Sequence, residues 1–390
     1  MQTGCLIRGV IKLNIMPKLI RLTTADISLY SLLKGQLKFL SRDFEVVGVA
    51  SDTGVLQQVA EREGVRAINV PMHREISLIA DLKSLFALIR LFLRERPDIV
   101  HANTPKASLL SMVAAALCRV PHRIYMVTGL RFETTHGLLR FVLKTMERIT
   151  CLCATKVIPE GDGVKATLLR ERITRKPMQK IFNGNINGVD LAWYDRTAEV
   201  VAKAAEVRGD SADFTFVFIG RMVRDKGINE LVEAFDRLSQ ERDDVRLRLV
   251  GCFEDELDPM LPQTKERIER SDKIVFEGYQ SDVRPYLAAS DVLVLPSYRE
   301  GFPNVVLQAG AMGLPVIVSE VNGSRESISE GENGVVIPRQ DAEALYQAMA
   351  QMVCDKERTA RMASVAREMI ASRFDQRDVW RETAEMYKNL

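Results

Sequence analysis

The feature that most constrains this chain is a rhythm. Short apolar runs, unbroken on both faces of a strand, recur along it with helical patterns between them. Residues 18–24, 44–50, 65–70, 98–102, 123–128 and 154–158 read as strands in the first half, and 214–219, 246–251, 274–276, 292–295 and 315–319 in the second. Strands that are apolar on both faces belong in parallel sheets covered by helices, and strict alternation of strand and helix gives a doubly wound α/β sheet. With 390 residues the chain is long enough for two such units, each with its own core.

Open parallel sheets bind ligands in the loops that follow the carboxyl ends of their strands. In the first half those loops are residues 23–26, 103–106, 129–135 and 159–163, expected to open on one cleft. They and the ends of their strands carry Asp26, His101, Lys106, Arg131, Glu133 and Glu160. In the second half, residues 220–227 read GRMVRDKG after the first strand. Gly220 lets the backbone approach a ligand, while Arg221 and Lys226 put two positive charges on one loop, the arrangement that grips a diphosphate. Neither a Walker motif nor a dinucleotide GxGxxG occurs, so the phosphate site is of another type.

Residues 291–326 form one strand-loop-helix-strand unit around Glu300-Gly301-Phe302-Pro303. Pro303 suits a first helical turn, and Gly313 and Pro315 stop the helix. This stretch resembles the retaining glycosyltransferases of family 4, whose signature is a Glu, seven residues and a second Glu in an EGFP-like context. Gly220 to Gly227 is similar to that family's GR…KG motif, and Gly323 to Glu326 and Asn333-Gly334 to its later positions. The chain departs from the signature at Gln308, where the family has the second Glu. Gln308 keeps a carbonyl acceptor and loses the charge, and hydrogen bonds to charged partners contribute roughly 1.5–3 kcal/mol against about 1 for neutral ones. The loop at Thr128-Gly129-Leu130 also lacks the His that many relatives carry.

The resemblance spans about residues 18–390 and implies the GT-B architecture, two Rossmann-like domains facing across a cleft. On this reading residues 1–16 are an extension, with Met16 an alternative start. Residues 17–187 form the acceptor domain, 188–372 the nucleotide-sugar domain, and 373–390 a helix crossing back to the first. It implies transfer, with retention, of a hexose or N-acetylhexosamine from a nucleotide-diphosphate sugar, UDP-linked, to a lipid-diphosphate-linked saccharide in surface polysaccharide assembly. Arg221, Lys226 and Glu300 would be catalytic. Gly220, Gly301, Phe302, Pro303, Gln308 and Glu326 would complete the donor site, with no cofactor or metal required. Asp26, Lys106, Arg131, Glu133 and Glu160 are the acceptor candidates. Two alternatives stay open: a UDP-sugar 2-epimerase on the same fold, and a non-catalytic nucleotide-sugar-binding partner of an assembly complex.

Charge separates the halves. Residues 1–180 hold 28 basic and 15 acidic side chains, and residues 181–390 hold 26 and 37. A basic half suits anionic lipid headgroups or a diphosphate, and attraction between the two domains explains it equally well. Residues 137–153 alternate apolar and basic side chains as a membrane-interface helix does, and as a helix packed on a sheet also does; 76–96 shares the ambiguity. The scattered cysteines suit a reducing cytoplasm, and Arg8 and Lys12 argue against a signal peptide. The expected place is the cytoplasm or the inner face of its membrane, and the near-balanced total charge gives no nucleic-acid signal.

Overall fold

The computed structural model describes residues 16–73, 77–254 and 258–390; of the extension read as residues 1–16, all but Met16 lies outside them. The first sheet is built of β1 (Lys18–Ala25), β2 (Glu45–Ser51), β3 (Arg66–Asn69), β4 (Ile99–Ala102), β5 (His122–Val127) and β6 (Lys156–Pro159). The second holds β7 (Phe214–Ile219), β8 (Val245–Val250), β9 (Ile274–Gly278), β10 (Val292–Leu295), β11 (Val316–Ser319) and β12 (Gly334–Ile337). Their orders are β3-β2-β1-β4-β5-β6 and β12-β11-β10-β7-β8-β9. Neighbouring strands in both sheets run parallel.

Each sheet therefore reverses its winding once, between β1 and β4 and between β7 and β10. Ligand crevices form outside the carboxyl ends at such points. The fold is GT-B: two Rossmann-like units. Strand β12 is absent from the sequence reading. Its apolar stretch is only Val335-Val336-Ile337, framed by Asn333-Gly334 and Pro338, and pairing with Val316–Ser319 is what extends it. Pro303 precedes the Asn304–Ala311 helix as its N-cap rather than opening its first turn.

Two segments joining the sheets run side by side. The Val189 N–H donates to the Phe374 carbonyl at 2.8 Å, and the Gln376 N–H donates to the Val189 carbonyl at 3.2 Å. Asn185, at φ 66°, folds the first segment: its Oδ1 accepts from the N–H groups of Asn187 and Gly188, and its Nδ2 donates to Asn304 at 2.7 Å. A small core of Val189, Phe302, Leu307, Ile370 and Phe374 fills the junction.

The Gln376–Lys388 helix then lies on the first sheet, where Ala384 and Tyr387 join a core with Leu29, Leu37 and Leu40. The Trp380 indole N–H donates to Asn187 at 2.6 Å. Beneath this helix Arg21 of β1, His101 of β4 and Tyr387 form a buried cluster. Arg21 donates to the Tyr387 hydroxyl at 2.8 Å and also meets His101 Nδ1, which lies 2.5 Å from that hydroxyl. Burial first, and the Arg21 charge second, push the His101 imidazole well below its usual range, so it is neutral. His101 is thus core, not cleft.

Candidate active site

A cavity of about 140 Å³ lies between the sheets, lined by Thr128, Gly129 and Leu130 from the first and by Arg221, Asp225, Lys226, Arg299, Glu300 and Gly301 from the second. Arg221 and Lys226 leave the loop after β7, and Glu300 leaves the loop after β10. Those strands are neighbours at the switch point, which is why side chains far apart in sequence meet. Lys226 Nζ donates to Glu300 Oε1 at 2.5 Å. Arg221 Nη1 donates to Glu254 Oε2 at 2.5 Å.

The glycine that ends the GR…KG loop is there for space. Gly227 has φ +70°, and a Cβ on it would stand 2.1 Å from the Pro296 carbonyl oxygen, so the loops after β7 and β10 are in backbone contact. Gly220 is less confined, with the Phe218 ring 3.3 Å from where its Cβ would be.

Gly301 does the same across the domain boundary. A Cβ there would stand 2.3 Å from the Thr128 carbonyl oxygen and 2.5 Å from Glu160 Oε2. The EGFP stretch is therefore as much a junction as a ligand loop. Phe302 and Pro303 are buried, and Phe302 packs on Phe374 with ring centroids 5.3 Å apart.

Glu160, at the carboxyl end of β6, is 3% exposed. Burial above all, opposed by the Ile186 N–H and assisted by the charges of Glu300 and Glu326, raises its carboxyl to about 8. It is thus a neutral acid near pH 7, against the backbone beside Glu300. Glu133 accepts from Asn322 Nδ2 at 2.9 and 3.0 Å and from Thr167 at 3.3 Å; burial raises its carboxyl too. Thr134 and Arg299 both reach Asp225 Oδ2, at 3.2 and 2.9 Å.

Other sequence-chosen residues lie away from the cavity. Glu326 crosses to the first domain, where its oxygens accept the N–H groups of Asp162 and Gly163 at 2.7 and 2.8 Å, the first turn of the Asp162–Arg170 helix. A carboxylate suits the positive end of a helix, so Glu326 acts as a latch between domains. Asp26 is buried and braces the loop after β2 through the N–H groups of Thr53 and Val55. Lys106, 7% exposed, donates to Asp81 at 2.6 Å. Arg131 is exposed on the Arg131–Thr134 turn. Arg299 and Asp225 were not chosen from sequence as site residues, although each adjoins one that was.

Residues 36–184 match the family model described as "Glycosyl transferase 4-like domain", and residues 213–355 match "Glycosyl transferases group 1". The capsular polysaccharide biosynthesis glycosyltransferase CapM of Staphylococcus aureus is 30% identical over 383 residues, covering 96% of this chain and 97% of its own. The chain belongs to glycosyltransferase family 4. This glycosyltransferase is also 29% identical over 351 residues to an Escherichia coli enzyme named UDP-Gal:alpha-D-GlcNAc-diphosphoundecaprenol alpha-1,3-galactosyltransferase, across 86% of this chain and 89% of that one. HepE of Anabaena, solved in complex with UDP, shares the fold with a TM-score of 0.78 at 19% identity, over 96% of this chain and all of that one. The relatives decide for a transferase over the epimerase and the non-catalytic partner.

Within the glycosyltransferase the signature's departure is placed: Gln308 sits half-buried on the Asn304–Ala311 helix, outside the residues that line the cavity.

Proposed function

We propose that this glycosyltransferase moves a hexose or N-acetylhexosamine, with retention, from a UDP-sugar to a lipid-diphosphate-linked saccharide during surface polysaccharide assembly. The observation that carries the reading is the meeting of Arg221, Lys226 and Glu300 in one cavity, closed on its far side by the 128–130 loop of the other domain. The bond from the anomeric carbon to the diphosphate oxygen breaks as a bond to the acceptor hydroxyl oxygen forms, and the hydroxyl proton leaves with the phosphate. Negative charge builds on the departing diphosphate, and fixed cations facing it lower the barrier.

Donor binding exchanges partners. Arg221 and Lys226 turn from Glu254 and Glu300 to the diphosphate, which frees Glu300 to accept hydrogen bonds from sugar hydroxyls. Gln308 meets the ribose, and the acceptor enters from the side of Glu133 and Arg131. The UDP in the HepE structure and the lipid diphosphate in the E. coli enzyme's name support the donor and acceptor classes.

Calorimetry of the protein against UDP, GDP, ADP and their sugars, without added metal, tests this reading. We expect saturable UDP binding, weakened about tenfold or more by Arg221→Ala, with Lys388→Ala unchanged. Preference for another nucleotide would overturn the donor, and equal effects of the two variants would remove Arg221 from the site.

A further inference from the structure

We infer that Glu160 is a positioning residue for the transfer: it pins the Glu300–Gly301 peptide of the second domain against the first, and so sets the carboxylate that meets the donor sugar. Its own backbone is held on both sides. The Glu160 N–H donates to the Val127 carbonyl at 3.1 Å, which ties it to the end of β5, and its carbonyl accepts the Asn185 N–H at 3.0 Å. Its carboxyl accepts the Ile186 N–H. One residue at the end of β6 therefore grips the segment that joins the two sheets and, with the same side chain, faces the EGFP loop.

That loop runs through a slot with no room for a side chain. A Cβ on Gly301 would meet both the Thr128 carbonyl oxygen and Glu160 Oε2, and a Cβ on Gly323 would stand 2.0 Å from the Gly301 carbonyl oxygen. Gly184 is confined in the same way: a Cβ there would fall 2.7 Å from the Glu160 carbonyl oxygen and 2.8 Å from the Phe302 ring. Packing this close transmits displacement instead of absorbing it. A shift of Glu160 is therefore passed to Gly301 and to Glu300, its neighbour in the chain.

The pin works as an acid. Glu160 Oε2 and the Thr128 carbonyl oxygen border the same small space beside Gly301, so an ionised carboxylate would face the negative end of a carbonyl dipole, whereas a protonated one fits. The surrounding charges act in the same direction. The loop after β10 brings Arg299 and Glu300, which pair with Asp225 and Lys226. Residues 322–326 bring Glu326, with Arg325 turned to Glu320. The Asp162–Arg170 helix brings Asp162, which pairs with Lys180 at 2.5 Å, and Lys180 also lies 3.7 Å from Glu326. The 128–130 loop and residues 184–187 carry no ionisable side chain. Burial first, then the charges of Glu300 and Glu326, raise the Glu160 carboxyl to about 8. Above that pH a second negative charge stands beside Glu300, and the loop is pushed off the first domain.

Two measurements test this. X-ray scattering of the free full chain at about pH 7 and about pH 9 needs no ligand: the radius of gyration of the wild type should grow between them, and that of Glu160→Gln, whose amide stays neutral, should not. Steady-state turnover of a UDP-sugar with a lipid-linked acceptor over the same range rests on the function proposed above. There we expect the wild-type kcat to fall above about pH 8 with little change in the donor KM, Glu160→Gln to keep its kcat throughout, and Glu160→Ala to lose about tenfold or more at both pH values. An alkaline fall that persists in Glu160→Gln overturns the inference, as does Glu160→Ala with wild-type kcat, or Glu160→Gln as impaired as Glu160→Ala. Turnover by none of the forms, the wild type included, removes the proposed substrates and leaves the pin to the scattering. There, equal growth in wild type and Glu160→Gln, or none in the wild type, overturns it. Neither comparison with Glu160→Gln depends on Glu160→Ala folding.

Discussion

Glu160 shows how one side chain ties acidity to packing. Its carboxyl is raised from 4.5 to about 8, so between those values the folded chain keeps a proton that the unfolded chain releases. Stability therefore falls as pH rises through this window and levels off above about 8. Glu147, which burial raises to about 7, has the same sign but fades above pH 7. The slope between pH 7 and 8 thus belongs chiefly to Glu160, and the loss is about 1 kcal/mol, since one whole proton per pH unit is about 1.4 kcal/mol and Glu160 is already partly ionised there. Denaturant unfolding at the two pH values should show that loss in the wild type and little of it in Glu160→Gln. The same loss in both would mean that Glu160 is ionised in the folded protein.

At this scale the sequence was legible wherever a role is local. The GR…KG and EGFP loops can be read because their glycines, charges and strand contexts are contiguous, and Arg221, Lys226 and Glu300 do converge. Asp26, Lys106 and His101 follow from the logic of loops at strand ends, and Glu326 from the resemblance to the family's later positions. Yet their partners, at Thr53, Asp81, Tyr387 and Asp162, are fixed by tertiary packing that no short window contains.

At the scale of elements the alternation of strands and helices carried both sheets, and β12 escaped because three apolar residues are too few to show a period. The boundary between the sheets was legible near residue 187 but the junction was not legible as two paired segments, since the second segment is some 190 residues further on, from Asn183 to Arg373. Phe374 is the centre of that junction, fully buried against Phe302. Truncating a buried Phe costs about 3–5 kcal/mol. Phe374→Ala should lower thermal stability by that order and also weaken UDP binding, because Phe302 adjoins Gly301 and Glu300. A drop in stability with unchanged UDP affinity would show that the junction and the site are mechanically independent.

For the whole molecule the size of the cavity matters. Ligand pockets generally measure about 300–1,000 Å³, and this one is about 140 Å³. The nucleotide-sugar donor proposed above therefore needs the domains to part before it enters. Polar contacts across the cleft hold them together: Glu326 on the Asp162–Arg170 helix, Asn322 on Glu133 and Thr134 on Asp225. Hydrogen bonds to charged groups contribute about 1.5–3 kcal/mol each. The double variant Asn322→Ala with Glu326→Ala should accordingly speed UDP association in stopped flow by about tenfold and enlarge the radius of gyration measured by X-ray scattering. If neither changes, the closed arrangement does not limit entry.

The helix that returns to the first sheet has a consequence for biosynthesis. Tyr387 supplies a hydroxyl to Arg21, and the ring of Trp380 occupies the space beside Gly35, yet both are translated only after the entire second domain. The domain that leaves the ribosome first is thus finished last, with Arg21 and His101 uncovered at its surface until the chain has threaded back. A nascent chain arrested before residue 376 should bind chaperones through that face, and the transferase would become competent only on release.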